Sequence, residues 1–251
     1  MNAMKKIVLL VEGSKDAYFL HELLLRRFAD SFNRQENPIE SEKPKTPVQM
    51  RSKNGEVEVE LHWTDGYSKI GGLKNVLKRP SEMEDNCKFA SGIIFDSDVP
   101  PVTGKNMNHA GQEARRKEIV RTLCLDASYP IERSKEWLFL FPDNQSDGDL
   151  EDVLRQTVRA SAEHEKFFSA CWFPFVKSVE GIPAHRPTDK SMMNEYKAAF
   201  NSDAWKINGQ NRCYADESLW DWNAKVLEPL VAFLDCVMND DAVENLGDLL
   251  K

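Results

Sequence analysis

The sequence predicts an α/β fold, with a mainly parallel β-sheet flanked by helices and a helical C-terminal extension. Short continuous apolar runs, typical of strands buried on both faces, alternate with segments whose apolar residues recur at helical spacing. The chain between successive runs is long enough for the crossovers that parallel strands require. From Ala162 onward the sequence is rich in aromatic residues, keeps a helical period and contains no convincing strand.

The first part of the core is predicted to run strand, tight loop, helix and second strand. Lys6–Val11 (KIVLLV) is an unbroken apolar run, and the Glu12-Gly13-Ser14 turn leads into a helix with Ser14 as its expected N-cap. The segment 33–54 is polar, contains three prolines and has no period, so we expect a mobile insertion there. Val57–Trp63 alternates apolar and polar residues, which indicates a half-exposed strand, as at a sheet edge.

Two more strands complete the predicted sheet. A turn at Gly71-Gly72 leads into a short basic helix, and the third strand follows at Ala90–Phe95 (ASGIIF). A helix is predicted from His109 to about Leu125, and the fourth strand is Trp137–Phe141 (WLFLF), which ends at a proline. An acidic turn then opens another helix. Because strands and helices alternate, the sheet is expected to be mainly parallel.

Composition limits the functional classes. Residues 1–160 are predicted to form the α/β core, and residues 161–251 a helical region that packs on it without folding independently. The chain carries 33 Lys and Arg against 41 Asp and Glu, a net charge of -8, which argues against a protein that coats nucleic acid. No apolar run approaches the ~20 residues of a membrane span, no signal peptide is recognisable, and the five cysteines are scattered. We therefore expect a cytoplasmic protein that does not contact a membrane. The sequence is compatible with assembly into a homo-oligomer.

Acidic side chains follow the predicted strands at the point where each strand ends. They are Glu12 and Asp16 after the first strand, Asp96 and Asp98 after the third, and Asp143, Asp147, Asp149, Glu151 and Asp152 after the fourth. Ligands of open α/β sheets bind outside the carboxyl ends of the strands. Carboxylates that share a site repel one another unless a cation neutralises them, and Mg²⁺ or Mn²⁺ prefers such oxygen ligands. Each acid also has a structural explanation, as a strand terminator or a helix cap.

Two segments carry a resemblance to a known domain. VLLVEGSKDAYFLHELL and GIIFDSDV resemble the Toprim domain, in which one apolar strand ends in Glu-Gly and another in Asp-x-Asp. Over nearly its whole length the chain more specifically resembles a bacterial Toprim-like family of unknown function, domain-of-unknown-function family 3226. That resemblance also uses FLFPDNQSDGDLEDVL, DKSMMNEYKAAF and SLWDWNAKVLEPLVAFL. It implies a Toprim-like, Rossmann-like core and dependence on Mg²⁺ or Mn²⁺.

The resemblance also implies residue roles. Glu12 would act as general acid or base, while Asp96 and Asp98 would hold a divalent metal. A more distant similarity to the Toprim part of OLD-type nucleases would add further residues: Asp16 at the first metal site, Glu151 or Asp152 at a second, and Lys190 as a catalytic residue that neutralises a phosphate. The predicted phosphate contacts near this edge are Gly13, Lys15, Gly72 and Arg115. Solvated helix surface and ordinary turns also explain these four residues.

On this basis the protein is predicted to be a Mg²⁺-dependent, nuclease-like enzyme. It would act on the phosphodiester bonds of nucleic acid, which it would bind through the metal. One alternative is a non-hydrolytic module that holds a metal-bridged nucleotide or nucleic-acid end. A second is a haloacid-dehalogenase-like phosphatase with Asp96 as nucleophile and Asp98 as acid, although Pro100-Pro101 replaces the expected Thr-Leu. A third is an interaction protein whose acidic site is vestigial.

Overall fold

The computed structural model describes most of the core and parts of the C-terminal region. The described residues are 4–35, 47–64, 67–81, 83, 87–98, 111–123, 128–159, 166, 170, 193, 214, 217–239 and 245–250. Within these ranges, no helix is both long enough and apolar enough to cross a membrane. Lys190, predicted as a catalytic residue, and His109, predicted as a helix start, lie outside them.

Five strands form one sheet in the order β2-β3-β1-β4-β5. The strands are β1 Lys5–Val11, β2 Val48–Arg51, β3 Val57–Trp63, β4 Lys88–Asp96 and β5 Leu138–Phe141. β1 pairs in parallel with β3 and β4, and β4 pairs in parallel with β5. The register opposes Val11 to both Trp63 and Ile94, and Asp96 to Phe141. The four parallel strands therefore end at one edge of the sheet, called here the carboxyl edge.

Helices cover both faces of this sheet. They are α1 Ser14–Arg27, α2 Lys74–Leu77, α3 Gly111–Thr122, α4 Leu150–Thr157, α5 Glu228–Asn239 and α6 Leu246–Leu249. Buried side chains of α1, α4 and α5 share one core cluster with the odd-numbered residues of β1, whereas those of α2, α3 and α6 share the other with Val8 and Leu10. The predicted α/β class with a mainly parallel sheet and flanking helices is confirmed.

The prediction for segment 33–54 is wrong in one part. Val48–Arg51 forms strand β2, which pairs antiparallel with β3 and is an outer strand of the sheet. Val48 and Met50 are buried and the two residues between and after them are exposed, so the strand does alternate. The alternation covers only four residues, the shortest length that indicates a strand, and it follows a polar segment with three prolines. As a consequence β3 is an inner strand, and the prediction that it lies at an edge is also wrong.

The aromatic residues of the C-terminal region that the structure describes belong to the core, as predicted. Trp220 and Tyr214 are almost completely buried, with ring centroids 5.8 Å apart. The Phe19 ring of α1 lies 5.8 Å from the Tyr214 ring and 5.7 Å from the Trp222 ring. Such aromatic pairs add about 0.5–1.5 kcal/mol each beyond their area burial. This cluster fastens the C-terminal region to the first helix of the core.

Candidate functional site

Asp96 is the last residue of β4 and lies where the sheet meets helix α4. Its side chain shares the face on which α4 packs, and the residue is only 8% exposed. Oδ1 accepts a hydrogen bond of 3.0 Å from the backbone N–H of Leu150, the first residue of α4. The positive end of a helix dipole favours a carboxylate at this place. The hydrogen bond to Oδ1 therefore holds the Asp96 carboxylate in one orientation.

Ser97 connects the end of β4 to the acidic turn after β5. The residue is fully buried, and its hydroxyl donates to the Phe141 carbonyl at 2.8 Å and accepts from the Gly148 N–H at 2.8 Å. The N–H groups of Ser97 and Asp98 both donate to the Gly148 carbonyl, at 3.1 and 2.9 Å. Two loops that are about fifty residues apart are thus joined, and the sequence carried no signal for this contact.

Asp98 adopts a backbone conformation that few residue types tolerate. Its φ is 58°, in the left-handed region where Asp and Asn are enriched among non-glycine residues. The side chain accepts a hydrogen bond from Nη2 of Arg115 on α3 and forms an ion pair with it. Arg115 is 4% exposed, and its Nη1 also lies 3.7 Å from a Glu118 carboxylate oxygen. Arg115 was predicted as a phosphate contact, and in this structure it neutralises Asp98.

The end of β1 brings Glu12 to the same edge. Because Val11 is opposite Ile94 in the register, Glu12 lies at the level of the last residues of β4. The Thr64 hydroxyl donates to the Glu12 carbonyl at 3.0 Å, which fixes the backbone. Helix α1 then begins with Gly13 as its N-cap, so the prediction of Ser14 as the cap is wrong. Gly13 N–H donates to Oδ2 of Asp16 at 2.7 Å, because an aspartate at this position can reach back to the cap.

The acids that follow β5 divide into two groups. Asp149 is the N-cap of α4 and forms a reciprocal capping box with Asp152: the Asp152 N–H donates to Asp149 Oδ1 at 3.2 Å, and the Asp149 N–H donates to Asp152 Oδ2 at 3.0 Å. Glu151 is only 6% exposed, and in the described part of the chain no hydrogen bond or ion pair reaches its carboxylate. Of the two predicted ligands of a second metal, Asp152 thus has a capping role, while Glu151 has none.

Asp143 opens the acidic turn and stabilises it. Its Oδ1 accepts the N–H groups of Gln145 at 2.9 Å and Ser146 at 2.6 Å, and its Oδ2 accepts the Ser146 hydroxyl at 3.0 Å. Burial alone would raise the Asp143 pKa, but these hydrogen bonds outweigh burial and hold the pKa below its usual value. The hydrogen bonds of the folded turn therefore stabilise the ionised form of the Asp143 carboxylate.

Arg116 is a positioning residue that the sequence did not distinguish from its exposed neighbours. We expected the basic residues of this helix to be mostly solvated, yet Arg116 is buried, and desolvation lowers its pKa to about 10. Its Nη1 donates to the Ser134 hydroxyl at 3.2 Å and the Leu138 carbonyl at 3.1 Å, and its Nη2 donates to Asn144. Asn144 has a φ of 66° and also accepts the Leu140 N–H. Arg116 therefore fastens α3 to the acidic turn.

Lys15 and Gly72, two of the predicted phosphate contacts, lie on different elements. Lys15 is exposed on the first turn of α1. Gly72 is exposed in the 3₁₀ helix Tyr67–Leu73. Its neighbour Gly71 packs beside Thr122, because a methyl group in place of the Gly71 hydrogen would lie 3.6 Å from the Thr122 side chain. Thr122 is seven residues beyond Arg115 on α3, about 10 Å along the helix axis. The structure thus groups Asp96, Asp98 and Arg115, with Glu12 at the adjacent strand end, and places Gly72 toward the other end of α3.

Comparison with known proteins assigns the chain to a family. The sequence profile of a family described as "Protein of unknown function (DUF3226)" matches residues 6–239. The chain belongs to this family. The expected resemblance to domain-of-unknown-function family 3226 is thereby confirmed, and no curated protein matches the sequence of this DUF3226 chain.

Two solved structures resemble this DUF3226 chain at low similarity. The C-terminal region of the Burkholderia pseudomallei OLD protein matches with a TM-score of 0.40 and 11% identity, covering 92% of this chain and 98% of that one. A hypothetical protein from Pyrococcus horikoshii OT3 matches with a TM-score of 0.44 and 13% identity, covering 99% of this chain and 100% of that one. At this level of similarity neither structure assigns an activity.

The donor chemistry of the carboxyl edge fits a hard divalent cation, but the present arrangement does not form a complete ligand set. Carboxylate oxygens are the ligands that Mg²⁺ and Mn²⁺ prefer, and Asp96 and Asp98 bring such oxygens to this edge. Asp98 is paired with Arg115. Among the residues that the structure describes, no three His, Cys, Asp or Glu side chains are grouped closely enough to hold a metal. A cation would therefore have to displace the guanidinium from Asp98.

Proposed function

We propose that this protein is a divalent-metal-dependent, nuclease-like enzyme that acts on phosphodiester bonds at the carboxyl edge. The observation that carries the proposal is the fixed Asp96-Ser97-Asp98 segment at the end of an inner parallel strand. Its backbone is held by the Gly148 carbonyl and one of its carboxylates by the Leu150 N–H. A catalytic group must be held in one geometry. Open α/β sheets bind their ligands outside the carboxyl ends of the strands, which is where these fixed acids lie.

Each residue of the edge receives a role under this proposal. Asp96 and Asp98 would hold Mg²⁺ or Mn²⁺, which when bound stabilises negative charge on a phosphoryl oxygen. Glu12, at the end of the adjacent strand, would accept or deliver the proton of the attacking or leaving oxygen. Glu151 is a stronger candidate than Asp152 for a second cation, because Asp152 already caps α4. Asp16, expected at the first metal site, already accepts the N–H of the α1 N-cap. Lys190 would neutralise a substrate phosphate.

Arg115 has a defined place in this proposal. Its buried guanidinium supplies the positive charge that balances the carboxylate of Asp98. When a cation takes over that task, the guanidinium becomes available for a phosphate, for which its planar fork is well suited. Arg115→Gln should therefore tighten Mn²⁺ binding, because the competing cation is gone, and at the same time weaken binding of the nucleic-acid substrate. Calorimetric titration of Mn²⁺ measures the first effect, and titration of an oligonucleotide measures the second.

A second candidate function is a non-hydrolytic module that binds a nucleotide or a nucleic-acid end through the same residues. The Asp98–Arg115 ion pair favours it, because the pair places a guanidinium, a group suited to phosphate binding, beside the acids of the carboxyl edge. Under this alternative, ligands bind without turnover in the presence of Mg²⁺. The two candidates are separated by any metal-dependent product formation above background.

The deciding experiment incubates purified protein with single- and double-stranded DNA and RNA in Mg²⁺, Mn²⁺ or EDTA. We expect metal-dependent cleavage that is lost by at least about a hundredfold in Asp98→Asn and in Glu12→Gln, in line with the removal of a catalytic group. Asp30→Asn, which changes an exposed aspartate in the turn after α1, is the matched control and should cleave like the natural protein. Cleavage that persists in both site variants would refute the proposal, provided that their unfolding curves match the control.

A further inference from the structure

Helix α3 meets the carboxyl edge at its N-terminal end. The Gln112 N–H donates to Oδ1 of Asp147 in the acidic turn at 2.5 Å, and Arg115, three residues later, pairs with Asp98. Residues three apart in the sequence are neighbours on a helix surface, with Cβ atoms about 5–6 Å apart. Long side chains on a helix lean toward its N-terminus, which is the direction of Gln112 from Arg115. The two side chains are therefore close neighbours at this edge.

The side-chain amide of Gln112 is buried and has no hydrogen-bond partner. Both of its polar atoms, Oε1 and Nε2, are closed to solvent, and within the described part of the chain neither makes a hydrogen bond. A buried polar group without a partner destabilises a fold, so each such group in a native structure calls for an explanation. The bond to Asp147 uses the main-chain N–H, which every residue except proline offers, and therefore does not explain a glutamine at this position.

Arg115 loses a carboxylate partner when Asp98 serves as a metal ligand. Arg115 is 4% exposed, and a buried charge that loses its partner is strongly destabilising unless another acceptor takes over. The Glu118 carboxylate, 3.7 Å from Nη1, lies one turn toward the C-terminus of α3 on a side chain that is 50% exposed. A shift of the guanidinium toward Glu118 would thus lead away from the acidic turn. The Gln112 oxygen is a buried acceptor in the opposite direction, on the side of that turn.

We propose that Gln112 is a positioning residue for Arg115. Its side-chain oxygen accepts a hydrogen bond from the guanidinium once Asp98 is engaged as a metal ligand, and this bond keeps Arg115 at the carboxyl edge, where a substrate phosphate binds. While Asp98 holds the guanidinium, the amide makes no hydrogen bond. The inference rests on the proposed metal-binding role of Asp98, and it applies equally to a nuclease and to a non-hydrolytic module.

A double-mutant cycle on Mn²⁺ affinity tests this coupling. Calorimetric titrations compare the full-length natural protein, Gln112→Met, Arg115→Met and the double variant. We expect Gln112→Met to weaken Mn²⁺ binding by about tenfold, the effect of one hydrogen bond to a charged group. In the Arg115→Met background the same change should leave Mn²⁺ binding unaltered. Gln49→Met, at an exposed glutamine of β2, is the matched control and should bind Mn²⁺ like the natural protein.

A second substitution at the same position should have the opposite effect. Gln112→Glu places a carboxylate beside Arg115 that competes with Asp98 for the guanidinium, so Mn²⁺ binding should tighten by at least about threefold. Because an added negative charge attracts a cation by itself, the change is also measured in Arg115→Met, where we expect less tightening. Equal tightening in both backgrounds would overturn the inference.

Urea unfolding in EDTA supplies a readout that needs no metal. Because the amide makes no hydrogen bond while Asp98 holds Arg115, Gln112→Met should unfold at the same urea concentration as the natural protein or at a higher one. A clearly lower midpoint, with Gln49→Met unchanged, would show that the amide supports the fold and would overturn its assignment to Arg115.

The inference and the proposed nuclease fail in different ways. If the natural protein binds Mn²⁺, but Gln112→Met weakens binding equally with and without Arg115 or not at all, the role of Gln112 is overturned and the nuclease proposal stands. Intact coupling without any cleavage supports the role of Gln112 and favours the non-hydrolytic module. No Mn²⁺ binding by the natural protein at millimolar concentration contradicts the metal-binding role of Asp98, and the inference is overturned with it.

Discussion

Ser97→Ala is the substitution whose effect can be derived most directly from the structure. The change removes one oxygen from a fully buried position between the ends of β4 and β5. Gly148 N–H then lacks its acceptor and the Phe141 carbonyl lacks its donor, and both bonds are buried. Each buried polar group left without a partner costs about 1–3 kcal/mol. Because the two groups are coupled, we expect a total loss of about 2–4 kcal/mol in the free energy of unfolding.

Equilibrium unfolding in urea, followed by tryptophan fluorescence, measures this loss. The transition midpoint should fall while the slope of the unfolding free energy against urea concentration stays unchanged, because the surface exposed on unfolding is the same. Ser31→Ala, at an exposed serine in the turn after α1, is the control and should change stability by less than about 0.5 kcal/mol. If Ser97→Ala behaves like this control, Ser97 does not hold the two loops together and the argument for a fixed Asp96-Ser97-Asp98 segment fails.

Three further predictions concern the acidic turn and its supports. Gly148→Ala places a methyl group against the Asp152 carboxylate, so urea unfolding should show a loss of about 1–3 kcal/mol; an unchanged midpoint would contradict this contact. Arg116→Met removes the hydrogen-bond donors to the Leu138 carbonyl and the Asn144 side chain. Calorimetry should show a melting temperature lower by roughly 4–8 °C. An unchanged melting temperature would contradict a stabilising role for these hydrogen bonds. The pKa of Asp143 is lower in the folded protein than its ordinary value of 3.8. The ionised carboxylate therefore stabilises the fold at pH values above 3.8, and this stabilisation is lost as the pH falls through the pKa of the folded state. Asp143→Asn should therefore be less stable at pH 7, and the difference in urea midpoint should narrow below pH 3.8; a constant difference would contradict the shift.

The strands and the main helices of the core could be predicted because their signals are local. The apolar runs of β1, β4 and β5 and the alternation of β3 each extend over four residues or more. The predicted helix from His109 to about Leu125 is observed as α3, Gly111–Thr122, within the described residues. The placement of Asp96 and Asp98 at a strand end likewise follows from one uninterrupted apolar run. Strand β2 was missed because its four residues of alternation directly follow a polar segment with three prolines, which is typical of a loop.

The contacts of the candidate site could not be predicted, because they join segments that are distant in the sequence. Arg115 reaches Asp98 across 17 residues, and Ser97 reaches Gly148 across 51. No local pattern distinguishes Arg115 and Arg116, which are buried, from Lys117 on the same helix, which is partly exposed. The inner position of β3 was missed for a similar reason, since alternation reveals which residues share a face but not which strands lie on either side.

The most direct measurement of the central claim is anomalous X-ray diffraction from a crystal of the full chain soaked in Mn²⁺. The account predicts an anomalous peak bound by carboxylate oxygens of Asp96 and Asp98, with the Arg115 guanidinium displaced from Asp98. The same soak of an Asp98→Asn crystal should lose that peak. A soaked crystal with the Asp98–Arg115 ion pair intact and no manganese at the carboxyl edge would contradict the proposed metal-dependent function.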